Sequence, residues 1–298
     1  MSSPQSILIP APLTTANQKL LSILGALLMV FIWSGWIILS RVGVQSNLSP
    51  EDITILRFGT GALFTLPFAL RYEWKKLTLW KAVIVSLGCG FPYTLFSFYG
   101  LQTIKSANAG VIVNGLLPVF GAVLAFLILG ESSTRKRIFA IAIILTANLI
   151  MMGNPTDLGQ EWFGWLMLLS ASLVFSGYMF LGKRWGYTVK DVLAFLPLIN
   201  IVIFIPIWIA TDSGIPETAF AAILTQSLYQ GVLVSVVALM LTFYAIQHIG
   251  AMTLSIFFSF VPFVTAILAW LILGESLSLN EIMAIVLCSV GLLIYAKK

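Results

Sequence analysis

Residues 125–132 read Ala-Phe-Leu-Ile-Leu-Gly-Glu-Ser, and residues 269–276 read Ala-Trp-Leu-Ile-Leu-Gly-Glu-Ser, so one phrase occurs twice, 144 positions apart. Pro118 and Pro262 keep that offset, as do Ala122 and Ala266. Upstream, Phe98-Tyr99, Gln102 and Ile104 match Phe243-Tyr244, Gln247 and Ile249 at 145, one residue having been lost between. Apolar letters recur by chance in any greasy sequence; proline, glycine and glutamate in register do not. The chain reads as two copies of one unit.

Composition says what solvent the copies need. Of 298 residues, 59% are hydrophobic and 9% charged, with a mean hydropathy of +1.02. A soluble domain carries about 25% charged residues, so this chain cannot cover itself with polar surface and fits a bilayer. The formal charge of +5 sits in short clusters between apolar runs, which argues for a membrane orientation signal and against a nucleic-acid partner. Cys89 and Cys288 both fall inside apolar runs and make neither a disulfide framework nor a zinc spacing. Residues 1–19 read as a loose cytoplasmic tail, because no cleavage site and soluble domain follow the first apolar run.

Ten runs have the roughly 20-residue length of a membrane helix: 20–40, 52–70, 79–100, 107–130, 137–153, 162–182, 191–210, 220–247, 251–273 and 279–296. With the N-terminus inside, thirteen of the sixteen Lys and Arg fall in cytoplasmic segments, leaving Arg41 and Lys105 outside and Arg57 within a helix. The expected fold is therefore an all-α polytopic membrane protein with both termini cytoplasmic, the copies being 20–153 and 162–296. Five helices per copy is an odd number, so the second copy crosses the membrane inverted. Inverted repeats are a mark of secondary transporters that switch access about a site near the midplane.

The two units resemble the paired EamA repeats of the drug/metabolite transporter superfamily. The resemblance rests on Trp33-Ser34-Gly35, Leu56-Arg57-Phe58, Tyr99 through Ala107, Pro118 and the Leu-Gly-Glu-Ser of 129–132, with Ser176-Gly177, Pro262 and 273–276 in the second copy, which has no arginine matching Arg57. It implies a ten-helix inner (plasma) membrane transporter, often an exporter of amino acids or other metabolites. The implied central cavity is lined by helices 1, 3, 4, 6, 8 and 9. The aromatic-rich character points to the YddG-like subgroup of aromatic amino-acid exporters.

Candidate site residues follow from position. Pro118 and Pro262 are expected near the middles of helices 4 and 9, bending both. Asn114, one turn before Pro118, and the small face of Ser255, Ser259 and Pro262 could line a cavity or simply pack helices closely. Gly88-Cys89-Gly90-Phe91-Pro92, followed by Tyr93, is expected to break helix 3, with nothing equivalent in helix 8. Trp33, Trp36, Tyr99, Tyr178 and Tyr244 combine a polar tip with an apolar body, although Tyr99 and Tyr244 lie where interfacial aromatics also lie. Ser34 and Ser176 match between copies, as do Trp36 and Tyr178. Arg57 is read as a structural charge that snorkels or pairs, with Glu51 and Asp52 on its side. Glu131 and Glu275 follow a helix-ending glycine and read as gate contacts between the halves.

The remaining expectations concern chemistry. No Asp or Glu lies near the middle of any run, and there is no Walker loop, metal-ligand cluster or nucleophile elbow. The chain is thus expected to be no enzyme, to need no metal or other cofactor, and to have lipid and a small-molecule substrate as its partners; monomer and homodimer stay open. The leading reading is export of small amphipathic metabolites, aromatic or apolar amino acids first. The same fold moving drugs, nucleosides or sugar derivatives is the alternative. A membrane enzyme or lipid-handling protein would need a catalytic constellation that the sequence lacks.

Overall fold

A computed structural model describes residues 15–153 and 159–297. Most of the tail expected over 1–19 lies outside the described residues, and so does most of the loop between the copies. Among the described residues the protein is helical throughout, with no strand.

Seven crossings are single helices: α1 (Ala16–Val44), α2 (Pro50–Leu70), α5 (Ser106–Leu129), α6 (Arg135–Met152), α7 (Trp162–Arg184), α8 (Val189–Ile209) and α12 (Leu279–Ala296). The third crossing is broken into α3 (Leu79–Gly88) and α4 (Phe91–Thr103). The eighth and ninth need a geometric argument. Helix α9 (Phe220–Gln226), a π-wound stretch Ser227–Val237 and α10 (Ala238–Phe258) form 39 continuous residues, about 58 Å of helix at 1.5 Å per residue and twice a hydrocarbon core. They do not run straight: Gly250 has φ 81° and ψ 154°, a conformation open to glycine and strained for other residues. The eighth crossing ends there. The ninth starts at Ala251, is interrupted at Ser259–Phe260 and continues as α11 (Val261–Leu273).

Serine and threonine caps start several of these helices sharply. Thr15 with Gln18, Ser49 with Asp52, Thr188 with Asp191 and Ser278 with Glu281 each make a reciprocal capping box, satisfying two orphan N–H groups per helix. Large apolar side chains point outward where lipid would be: Leu63, Leu127, Val202 and Leu271 are all more than 60% exposed.

The packing has a two-fold pattern. Crossing 2 packs on 7, 4 on 9 and 5 on 10, each with its own counterpart. Crossing 1 packs on 8 and 9, while crossing 6 packs on 3 and 4, the exchange that a pseudo-two-fold axis requires. Crossings 4 and 9 are antiparallel, since Glu275 at the end of one bonds Ser106 at the start of the other. The inverted duplication expected from the offset is thus the architecture of the molecule.

Pro118 stands near the middle of its crossing, as expected, and α5 runs through it without interruption; Pro262 stands near the middle of the ninth crossing, directly after the interruption at Ser259–Phe260 and in the first turn of α11, where a missing N–H costs nothing. One expectation needs correction. Helix 8, read as having no counterpart to the break in helix 3, carries the π stretch at the matching place. Winding by one extra residue per turn needs no glycine or proline, so the sequence does not announce it.

Candidate functional site

The middle of the bundle is aromatic. Trp36 on α1 is stacked on Tyr93 of α4, ring centroids 5.5 Å apart and planes 18° from parallel. Tyr93 meets Phe175 of α7 at 4.8 Å, and Phe175 meets both Trp33 at 6.2 Å and Tyr178 at 5.4 Å. Each such contact contributes about 0.5–1.5 kcal/mol beyond area burial, so three crossings, the first, third and sixth, are pinned together by one ring cluster. The break in the third crossing sets its geometry. Asn200 of α8, fully buried, accepts from the orphan N–H of Phe91 at 2.8 Å and donates to Ser86 O at 3.0 Å, so one amide holds both sides of the gap. A Cβ on Gly90 would stand 1.9 Å from that amide oxygen, which is why a glycine occupies the position.

Beside the rings lies the only cation inside the bundle among the described residues. Arg57 of α2 is 3% exposed, and its guanidinium carbon lies 5.7 Å from the Trp36 ring centroid and 5.6 Å from that of Phe58. It does not pair with Glu51 or Asp52, as the sequence suggested. Glu51 accepts from Tyr99 Oη. Asp52 accepts from Trp208 Nε1, Ser213 Oγ and Gly214 N at 2.7–2.9 Å, besides capping α2. Both carboxylates are committed to the end of the bundle, a turn and more from Arg57. What Arg57 has is Gln230 Oε1 at 3.5 Å, an oxygen that already accepts from Trp36 Nε1 at 2.7 Å. The last residue of α9, Gln226, and Gln230 of the π stretch together face α1, the first bonding Leu39 O and the second Ser40 Oγ. A small cavity of about 20 Å³ is lined by Arg57, Trp33, Cys89, Ser235 and an apolar wall that includes Leu193, Leu196 and Leu239.

The two ends of the bundle differ. At one, the Glu275 carboxylate accepts from Ser106 N at 2.9 Å and Ser106 Oγ at 3.2 Å, with Arg41 Nε at 3.7 Å. Lys105 joins Glu281 at 3.1 Å. Nearby glycines are in contact: Gly100 faces Leu168, Gly110 faces Thr265, and Gly164 faces Thr103. At the other end Glu131 is exposed, without an ion-pair or side-chain hydrogen-bond partner among the described residues, and Gly121, Gly177 and Gly182 have open space around them. Burial agrees: residues 106–116 of α5 are buried with the exception of Asn114, and none beyond Leu116 is. The protein is sealed at the Glu275 end and splayed at the Glu131 end.

The residues singled out from sequence divide accordingly. Trp33, Trp36, Tyr93 and Tyr178 come together. Ser34 and Ser176 hold symmetric positions: Ser34 donates to Val261 O, before Pro262, and Ser176 to Leu117 O, before Pro118, both at 3.2 Å. Asn114 bonds back to Gly110 O and Ser259 to Ile256 O, so their hydrogens stay within their own helices. Ser255 is exposed, Tyr99 serves the sealed end, and Tyr244 lies against His248, rings tilted by 38° with centroids 4.2 Å apart. Sequence reasoning missed Asn200, Gln226 and Gln230. An amide inside an apolar crossing was the available signal, since such groups need partners in lipid.

Residues 20–153 and 162–296 each match the EamA-like transporter family. A protein described as an uncharacterized transporter from Clostridium kluyveri is 27% identical over 266 residues, 84% of each chain. The uncharacterized transporter YyaM of Bacillus subtilis is 27% identical over 264 residues, 82% of this chain and 84% of that one. A crystal structure with a TM-score of 0.63 and 16% identity covers 94% of this chain and 96% of its own, a likeness of fold alone.

Proposed function

This chain belongs to the EamA-like transporter family and is a multi-pass membrane transporter, and we propose that it exports small amphipathic metabolites, aromatic or apolar amino acids first, by alternating access across an inner (plasma) membrane. The observation that carries this reading is the asymmetry of the ends. Two units of one sequence, 20–153 and 162–296, end crossings 4 and 9 alike, yet Glu275 is engaged and Glu131 has no such partner among the described residues. An inverted pair has a second arrangement of the same contacts, in which Glu131 bonds the start of the ninth crossing at Ala251 and Glu275 lets go of Ser106. Exchange of these two states passes cargo through the middle.

The ring cluster around Trp33, Trp36, Tyr93 and Tyr178 supplies an apolar, aromatic lining there. Arg71, Lys75, Lys76, Arg135, Lys183 and Arg184 lie at the Glu131 end, which the positive-inside rule puts in the cytoplasm with both termini. The splayed end is then the one that loads cargo for export. Counterflow of labelled phenylalanine, leucine and other amino acids in proteoliposomes tests the reading: saturable flux of at least one is expected, and none for any amino acid would remove the cargo assignment.

A further inference from the structure

A buried arginine needs an anion, and the described residues of this protein supply none. Asp52 and Glu51 are both occupied elsewhere, Gln230 Oε1 is neutral, 3.5 Å away and already bonded to Trp36, and Arg57 Nε has no partner. One other buried group on the same cavity is in the same position: the indole N–H of Trp33 has no acceptor. Both unsatisfied groups are donors. In a dry interior an unmet donor is disfavoured and an unmet cation more so, and an ionised oxygen would satisfy both.

We propose that Arg57 and the Trp33 indole form a carboxylate subsite in the transport pathway, and that the cargo is therefore an organic anion or zwitterion: a free carboxylate on an apolar or aromatic body. The inference rests on the transport reading above and narrows it. Arg57 presents a planar fork suited to a carboxylate, with the Trp36 and Phe58 ring centroids within 5.7 Å of its guanidinium carbon. Leu193, Leu196 and Leu239 offer the wall for the body. The cavity volume of about 20 Å³ has room for about one water-sized group, so binding requires the walls to part. Two of those walls are where regular α-helix is absent: Cys89 lies in the break of the third crossing, and Val234 and Ser235 lie in the π stretch. These segments can yield without melting a regular helix. The two donors come from the first repeat alone, as crossing 7 carries no arginine.

The test uses the purified full chain, with tryptophan fluorescence for binding and proteoliposome counterflow for flux. Four probes share one aromatic body: L-phenylalanine, 3-phenylpropionate, L-phenylalaninamide and phenethylamine. The two carboxylates should bind more tightly than the two carboxyl-free amines by about 10- to 100-fold, the range of a hydrogen-bonded charge. Arg57→Met should abolish that preference and Arg57→Lys should weaken it. Arg57→Met should also raise the thermal midpoint, because an unpaired buried cation is removed; a purely structural arginine would lower it. Flux without carboxylate preference, or a preference that survives Arg57→Met, overturns the subsite and leaves transport standing. Carboxylate-selective binding without flux does the reverse. Failure of both carboxylates to bind overturns the subsite.

Discussion

The two Leu-Gly-Glu-Ser phrases fold alike and are used differently. Gly130 and Gly274 end their helices in the left-handed region at φ 67° and 66°, and the next N–H reaches back to Ala125 O and Ala269 O at 3.3 and 3.2 Å. Up to the glutamate α-carbon the copies are equivalent. Beyond it, Glu275 meets Ser106 and Arg41 while Glu131 meets solvent. Local sequence therefore determines the turn, and the choice of partner is a property of the whole bundle. In this arrangement one of the two equivalent glutamates is engaged and the other is exposed, and an inequality of that kind between equal halves is what a two-state transporter needs.

The strongest way to break the comparison is Glu275→Ala. It leaves Arg41 without its carboxylate and Ser106 without its acceptor, and removing one partner of a largely buried pair costs about 3–5 kcal/mol. Maleimide labelling of Ala107→Cys, a fully buried position at the sealed end, should rise by at least about tenfold, as each 1.4 kcal/mol is a factor of ten. Next in size is Gly90→Ala. Its methyl would displace Asn200 from the break in the third crossing, and overpacking of this kind costs about 1–3 kcal/mol, read as a lower thermal midpoint in detergent. Ser34→Ala and Ser176→Ala should each cost about 1 kcal/mol, the loss of one hydrogen bond, and by nearly equal amounts; a large inequality would argue against the symmetry. The smallest effect on stability belongs to Glu131→Ala, which should leave the thermal midpoint unchanged. Its signature is in access: Ala107→Cys should label more slowly with Glu131→Ala and faster with Glu275→Ala.

What the sequence disclosed, and what it did not, follows from the same division. The offset of 144, the glycine ends, the odd number of crossings and the break at Gly88–Gly90 were legible because each depends on residues with a fixed backbone meaning. Pro262 marked the middle of the ninth crossing, but a proline stands at a kink or at a helix start, and only the interruption at Ser259–Phe260 says which. The π stretch left no mark, since Ser227–Val237 has the composition of any apolar helix. Arg57 was seen, but its partner was assigned from nearness in sequence; the capping box and Trp208 had already engaged Asp52. Tyr93 and Trp36 were picked as polar-tipped aromatics, and their stacking is tertiary. Side chains with a local role can be read in order along the chain, whereas those whose role is a distant contact need the fold.

The central claim is that the copies cross the bilayer in opposite directions. Ser132→Cys and Ser276→Cys, each next to its glutamate and exposed, test it against a background in which Cys89 and Cys288 are buried. In sealed vesicles of one orientation, an impermeant maleimide should label Ser132→Cys from one face only and Ser276→Cys from the opposite face only. Labelling of both from the same face would contradict the inverted pair and every step built on it.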